Sequence, residues 1–286
     1  MSDIKSFNNK VFIITGASEG IGCALAKQLA NQCIKKDATD NKANSQLKLV
    51  LAARNEQRLQ TLKQQLIEQG LDAGNILLVP TDVSVEQDCQ QLIDKTVNQF
   101  GQIDYLINNA GITMWSAFED LTDLSVFNKI YQVNVMGAVY LSYYALPHLK
   151  KAQGTIVAVA SLAGLTGVPS RSAYAASKHA MVGFFDSLRI EQKDNNINVI
   201  TIAPDFVVSQ IHKRALDKNG NALEHSPMQE KKIMSSEDCG LFIINAIKRN
   251  KRLAITSLRG KMGMFLKLFF PSFIDTLAAK AIRQRH

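Results

Sequence analysis

Thr15-Gly16-Ala17-Ser18-Glu19-Gly20-Ile21-Gly22 stands between the apolar run Val11-Phe12-Ile13-Ile14 and the helix-forming stretch Cys23-Ala24-Leu25-Ala26-Lys27-Gln28-Leu29. Strand, glycine turn and helix in that order are how a parallel sheet offers backbone amides at a helix N-terminus to an anion. Gly16 suits the tight turn, Gly20 lets backbone approach a pyrophosphate, and Gly22 permits close packing of helix on strand. The spacing is not the strict G-x-G-x-x-G. Taken alone, the turn is therefore compatible both with dinucleotide binding and with an ordinary strand-to-helix connection.

Outward from this turn, short β-branched runs recur at 10–15, 47–53, 76–80, 103–108, 155–160, 198–202 and 252–256. Between them, 56–69, 85–100, 125–150 and 172–194 carry apolar residues at helical spacing and are long enough for crossovers. Alternating β and α elements predict an α/β fold, a single doubly wound domain whose seven-stranded parallel sheet is flanked by helices. We place this domain at 1–257, with an irregular, flap-like segment at 205–234 and an apolar, basic tail at 258–286. The polar stretch 34–46 lacks periodicity and reads as an inserted surface loop.

With 286 residues, 46% hydrophobic and 20% charged, the chain can build a large core, which excludes a linker, a coiled coil or a disordered tail. The net charge of +8 favours phosphorylated ligands or anionic lipid. No zinc knuckle or aromatic-basic stripe points to nucleic acid. Cys23, Cys33, Cys89 and Cys239 form no C-x-x-C pair, so a reducing, cytoplasmic setting is expected, with neither a disulfide framework nor a metal site. The polar residues before the first apolar run suggest neither a signal peptide nor an N-terminal anchor.

The T-G-x-x-x-G-x-G spacing resembles the short-chain dehydrogenase/reductase family, built on a Rossmann domain, and further landmarks match it. Asn108-Asn109-Ala110-Gly111 follows the fourth strand, and Thr81-Asp82-Val83 follows the third. The resemblance implies that Gly16, Ser18, Gly20, Ile21 and Gly22 hold the cofactor phosphates and ribose. It likewise places Asp82, Val83, Asn109, Ala110 and Gly111 around the adenosine, although Asp82 in isolation reads equally as a helix cap. At the end of the second strand, Leu51-Ala52-Ala53-Arg54 has Ala53 where an NAD enzyme carries a carboxylate. Arg54 can fork onto a 2′-phosphate, so NADP(H) is the expected cofactor. Glu19 stands where a basic residue is common and would repel that phosphate.

Ser161 ends the fifth strand, and Tyr174-Ala175-Ala176-Ser177-Lys178 follows, with Tyr174 and Lys178 one helical turn apart. Hydride reduction of a carbonyl leaves an oxygen that must receive a proton as negative charge develops. By resemblance, Tyr174 donates that proton, Lys178 supports it and holds the nicotinamide ribose, and Ser161 orients the reacting oxygen. Asn134 in Tyr131-Gln132-Val133-Asn134-Val135-Met136-Gly137 matches the family's fourth catalytic position, though a buried Asn also satisfies backbone at a helix bend. In Ala203-Pro204-Asp205-Phe206-Val207-Val208-Ser209, Val207 offers backbone to the carboxamide, while Asp205 departs from the family's glycine.

The run 168–180 is similar to the hydroxysteroid-dehydrogenase-like branch, which includes orphan dehydrogenase/reductases. That implies a hydrophobic ketone, aldehyde or alcohol as substrate, steroid-like or lipid-derived, and a homodimer or homotetramer. A silent NADP(H)-sensing regulatory protein is the rival reading, but a sensor has no need of the Ser161, Tyr174 and Lys178 set. Residues 262–286 combine Met262, Phe265, Phe269, Phe270 and Phe273 with Lys280, Arg283 and Arg285. They suit either peripheral membrane contact or cover of a substrate mouth or subunit interface, and are too short to span a bilayer.

Overall fold

The computed structural model describes residues 7–37, 46–228 and 233–283. Its seven strands are β1 (Val11–Thr15), β2 (Lys48–Ala53), β3 (Ile76–Pro80), β4 (Tyr105–Asn108), β5 (Thr155–Val159), β6 (Asn198–Ala203) and β7 (Leu253–Ile255). They form one sheet in the order β3-β2-β1-β4-β5-β6-β7, every neighbouring pair parallel. The chain winds outward from β1 to β3, then returns to β4 and winds the other way. Strand order therefore reverses between β1 and β4, and the crevice that ligands use in open sheets lies beyond their C-terminal ends.

Strands covered on both faces are continuous apolar runs rather than alternating ones, and β1 is buried at every position. Its side chains still divide by the two-residue period. Phe12 and Ile14 enter the core under α1 (Gly20–Asp37), α2 (Glu56–Glu68) and a later helix, 236–248, with Leu25, Leu29, Leu62 and Ile243. Val11 and Ile13 enter the opposite core, with Leu92 of α3 (Glu86–Phe100), Leu141, and Met181 and Phe185. Each such side chain contributes roughly 1.5–3 kcal/mol of burial, shared between both layers.

Expected and observed elements differ in three instructive places. The 125–150 helix is divided into α4 (Ser125–Tyr131), a π-helical turn (Gln132–Met136) and α5 (Gly137–Ala152), with Asn134 fully buried in the turn. α1 runs to Asp37, four residues into the stretch expected as loop, because nothing there breaks a helix; 38–45 lie outside the described residues. α6 (Ser172–Glu191) stops short of Asp194, where a turn of 3-10 helix takes over.

After β6 the chain is irregular, tied down by isolated bridges such as Val207 with Met234 and Met114 with Leu216; 229–232 of the expected flap lie outside the described residues. α7 (Ser236–Lys248) leads to β7, and the tail folds into α8 (Leu258–Lys267) and α9 (Pro271–Arg283). Phe265, Leu268, Phe269, Phe270 and Phe273 are exposed on this pair, while Ile274 is buried. Among the described residues no helix is long and apolar enough to cross a membrane.

Candidate active site

Thr15, at the end of β1, organises the glycine turn. Its hydroxyl accepts the N–H of Asn109 at 3.0 Å and of Ala110 at 3.1 Å and donates to the Ile107 carbonyl at 3.1 Å. Asn109 Nδ2 in turn donates to the Thr15 carbonyl at 2.8 Å. The 108–111 element is thereby pinned to the turn across the strand-order reversal. Gly16 has φ +65°, the left-handed region that favours glycine. A Cβ on Gly22 would sit 2.4 Å from the Gly16 carbonyl oxygen and 2.7 Å from Asn109 Nδ2, so only glycine lets α1 start this close to β1.

A cleft of about 730 Å³ opens over this turn, within the ~300–1,000 Å³ typical of ligand sites. Gly16, Ser18, Gly20, Ile21, Arg54, Asp82, Val83, Asn109, Ala110, Gly111, Ser161, Tyr174, Lys178 and Val207 all line it. Gly22 lies behind the turn and Asn134 beneath the floor, where neither reaches the cleft surface. Asp82 lines the cleft but does not cap α3, whose N-cap Val85 receives no side-chain bond; its Oδ1 instead accepts from Ser84 N at 3.0 Å and Ser84 Oγ at 2.7 Å, ahead of the helix.

At the far end of the cleft, Glu19 forms ion pairs with Arg58 and, at 2.7 Å, with Arg214. A carboxylate held between two guanidiniums does not present the bare negative charge expected from sequence. Arg58 and Arg214 escaped the sequence reading because neither lies in a recognised motif, although Arg58 follows Arg54 by four residues.

The opposite end carries the candidate reactive side chains. Ser161 Oγ accepts the Ala163 N–H at 3.1 Å, which leaves its own proton to donate elsewhere. Tyr174 and Lys178 project from the first turns of α6, the lysine nitrogen 5.8 Å from the tyrosine ring centre. Lys178 Nζ donates to the Val159 carbonyl at 3.0 Å and approaches Met181 Sδ at 3.3 Å. Burial pushes the Lys178 ammonium down to about 7, with the nearby Arg171 charge adding to the effect.

Asn134 joins these parts. Its Oδ1 accepts the Ile112 N–H at 2.8 Å, and its Nδ2 donates to the Ile112 carbonyl at 3.0 Å and to Ser177 Oγ at 2.9 Å. Ser177 Oγ donates to the Tyr174 carbonyl at 2.8 Å, so the π turn braces α6 against the segment that follows Gly111. Arg171 is a further residue not singled out from sequence. Its guanidinium stacks 4.2 Å above the Tyr174 ring centre and donates to Thr113 Oγ1 at 2.6 Å.

Asp205, the departure after β6, lines the cleft but has its carboxylate engaged by the C-terminal tail. It accepts from Arg259 Nε at 2.6 Å, Arg259 Nη2 at 2.9 Å and Ser257 Oγ at 2.7 Å. Burial works to raise its carboxyl, but the hydrogen bonds from Arg259 and Ser257 outweigh it and hold the group below the usual range. Val207 lines the cleft with its carbonyl 3.1 Å from His212 Nε2. His179 has Nδ1 2.9 Å from the Ala175 carbonyl within its own helix and takes no part in the site.

The residues fit a dinucleotide: a glycine cradle that a Cβ would fill, an arginine end for phosphate, and a hydroxyl, phenol and amine at the other. Comparison with known proteins agrees with the architecture. Residues 10–220 match the family model for short chain dehydrogenase. An 11-beta-hydroxysteroid dehydrogenase of Pinus massoniana is 32% identical over 95% of this chain and 73% of its own length. The 11-beta-hydroxysteroid dehydrogenase-like 4A protein of Arabidopsis thaliana is 37% identical over 85% of this chain and 75% of its own. A Burkholderia phymatum short chain dehydrogenase/reductase, solved in complex with NAD, superposes with TM-score 0.77 and 26% identity over 92% of this chain and 94% of its own. With its seven-stranded sheet, its cleft and these relatives, the chain belongs to the short-chain dehydrogenase/reductase family of oxidoreductases, in the hydroxysteroid-dehydrogenase-like branch.

Proposed function

We propose that the protein is an NADP(H)-dependent oxidoreductase interconverting a hydrophobic ketone or aldehyde and its alcohol, with Tyr174 as the acid and base. The observation that carries this reading is that Ser161, Tyr174 and Lys178 line one cleft with the glycine turn. A bound nicotinamide supplies the hydride. Ser161, its oxygen already accepting from Ala163, directs its own proton to the substrate oxygen and fixes its orientation. Tyr174 delivers a proton to that oxygen in reduction and removes it in oxidation. Lys178, tethered to the Val159 carbonyl, keeps N–H donors for the ribose hydroxyls and for the phenol's surroundings. Asn134 acts by holding Ile112 and Ser177, and so the pitch of α6.

The preference for NADP(H) over NAD(H) rests on Ala53, which supplies no carboxylate at the end of β2, and on the exposed Arg54 beside it. The names of the relatives and the cleft walls at Ile112, Val168 and Phe206 favour an apolar, steroid-like or lipid-derived substrate. Residues 1–257, flap included, serve as the catalytic domain, and the α8–α9 tail makes peripheral membrane contact from the cytoplasm through its exposed phenylalanines. A homodimer or homotetramer packed through the long helices accords with the exposed Tyr143 and Ile190. The test is NADPH oxidation across a panel of ketones and aldehydes. Tyr174→Phe is expected to lower turnover by about 10²–10⁴-fold while retaining NADPH binding. Undiminished turnover in that variant refutes the acid–base assignment, and turnover of no carbonyl or alcohol by the wild type favours the sensor reading.

A further inference from the structure

Glu19 divides its carboxylate unequally. Arg214 grips both oxygens, Nη1 to Oε1 at 2.7 Å and Nη2 to Oε2 at 2.7 Å, the bidentate fork that makes the strongest guanidinium–carboxylate pair. Arg58 shares only Oε2. Arg214 belongs to the segment after β6, and the same segment rests on the turn a second time, where a Cβ on Gly20 would come within 3.1 Å of Ser209 Cβ. Arg58 occupies the first turn of α2, just beyond the Asn55 cap, where a cation works against the helix dipole. Arg54 precedes the same cap, and Arg54, Arg58, Glu19 and Arg214 all line the cleft. Against the one carboxylate, these arginines leave two positive charges, which a phosphate monoester of charge about −1.5 to −2 would balance.

We propose that Arg58 is a cofactor-specificity residue: it leaves its shared oxygen on Glu19 to join Arg54 on the 2′-phosphate, while the Glu19–Arg214 fork stays closed and clasps the 205–214 segment over the dinucleotide. This rests on the NADP(H) reading above. Glu19, in place of repelling the phosphate, stores Arg58 beside the position it takes up and holds the 205–214 segment against the turn.

The experiment measures dissociation constants for 2′-phospho-ADP-ribose and for ADP-ribose by calorimetry, on wild type, Arg54→Met, Arg58→Met, Arg58→Lys and Arg214→Met. Wild type is expected to favour the 2′-phosphorylated probe. Arg58→Met is expected to weaken that probe about tenfold and to leave ADP-ribose within about twofold, with Arg58→Lys recovering part of the loss. Arg214→Met is expected to weaken both probes, because it opens the clasp, and the 2′-phosphorylated one more, because Glu19 then keeps Arg58. If Arg54→Met erases the preference and Arg58→Met does not, the cofactor reading stands and the proposal falls. Equal weakening of both probes by Arg58→Met also overturns it. A wild type without preference overturns both.

Discussion

Lys178 offers a stability test that reads its environment directly. Burial holds the folded group at about 7, and an unfolded lysine titrates near ~10.4. Between these values the unfolded chain binds the extra proton, so stability rises with pH by up to ~1.4 kcal/mol per unit. The opposing groups are Cys89 and Cys239, whose thiols burial pushes up to about 12, with Cys23 raised by burial in the same direction. Unfolded thiols lose their protons near ~8.5, so above that pH the folded chain is the one holding more protons and the slope turns negative. Tyr105, also raised to about 12 by burial, steepens the fall once an unfolded phenol ionises near ~10. The wild type should therefore be most stable near pH ~8.5, by about 1 kcal/mol over pH ~6.5. Lys178→Met removes the rising limb, and the two proteins should diverge by roughly 1.5–2 kcal/mol between pH ~7 and ~8.5. Urea unfolding at fixed ionic strength with reductant present measures this. Parallel curves for the two proteins over that interval would refute a lysine that sheds its proton near neutrality.

Three more outcomes follow from contacts already described. Gly22→Ala, which forces a Cβ onto the Gly16 carbonyl, should cost about 1–3 kcal/mol in thermal unfolding and abolish detectable dinucleotide binding. Asn134→Ala strands the half-buried Ile112 N–H and carbonyl, and should cost ~1–3 kcal/mol in urea unfolding and lower kcat more than it raises KM. Removal of 262–286 should end co-sedimentation with anionic vesicles; persistence of that binding would assign the apolar tail to another surface.

The fold was legible because β1, β2 and β5 are apolar but for one terminal residue each, and a chain of such runs joined by helical spacings has few alternatives to a doubly wound sheet. The reactive set was legible for a related reason. Ser161 follows the end of β5 by two residues, and Tyr174 and Lys178 share one helix face, so local rules place all three at the same sheet edge. What stayed hidden depends on partners far away in sequence. The π turn at Asn134 exists because its amide reaches Ile112 and Ser177, and no periodicity records that demand. Likewise Glu19 reads as a repelling charge until Arg214, 195 residues later, is seen beside it. Arg171 precedes the motif tyrosine closely enough to be noticed, but its stacking on that ring depends on the turn into α6 and on Thr113.

Asp205 and the C-terminal tail, two departures that look unrelated along the chain, are halves of one feature. The carboxylate is 10% exposed, and a buried charge of that kind is tolerable only with partners, which Ser257 and Arg259 supply from the cap and first turn of α8. The same helix rests on the loop that begins at Ser161: a Cβ on Gly260 would meet Leu162 Cδ1 at 3.1 Å, and Lys267 Nζ donates to the Leu165 carbonyl at 3.0 Å. Leu162 N–H in turn donates to the Pro204 carbonyl at 2.7 Å, one residue before Asp205. A closed circuit thus runs from Ser161 through its loop to α8, across the ion pair to Asp205, and back through Pro204. A glycine at 205 would leave Arg259 without this partner and the exposed aromatic face of α8 and α9 without its ionic anchor at the cleft rim. The side chain that a motif reading treats as an intrusion beside the nicotinamide is, by its geometry, the ionic part of what fastens the apolar tail to the mouth of the cleft.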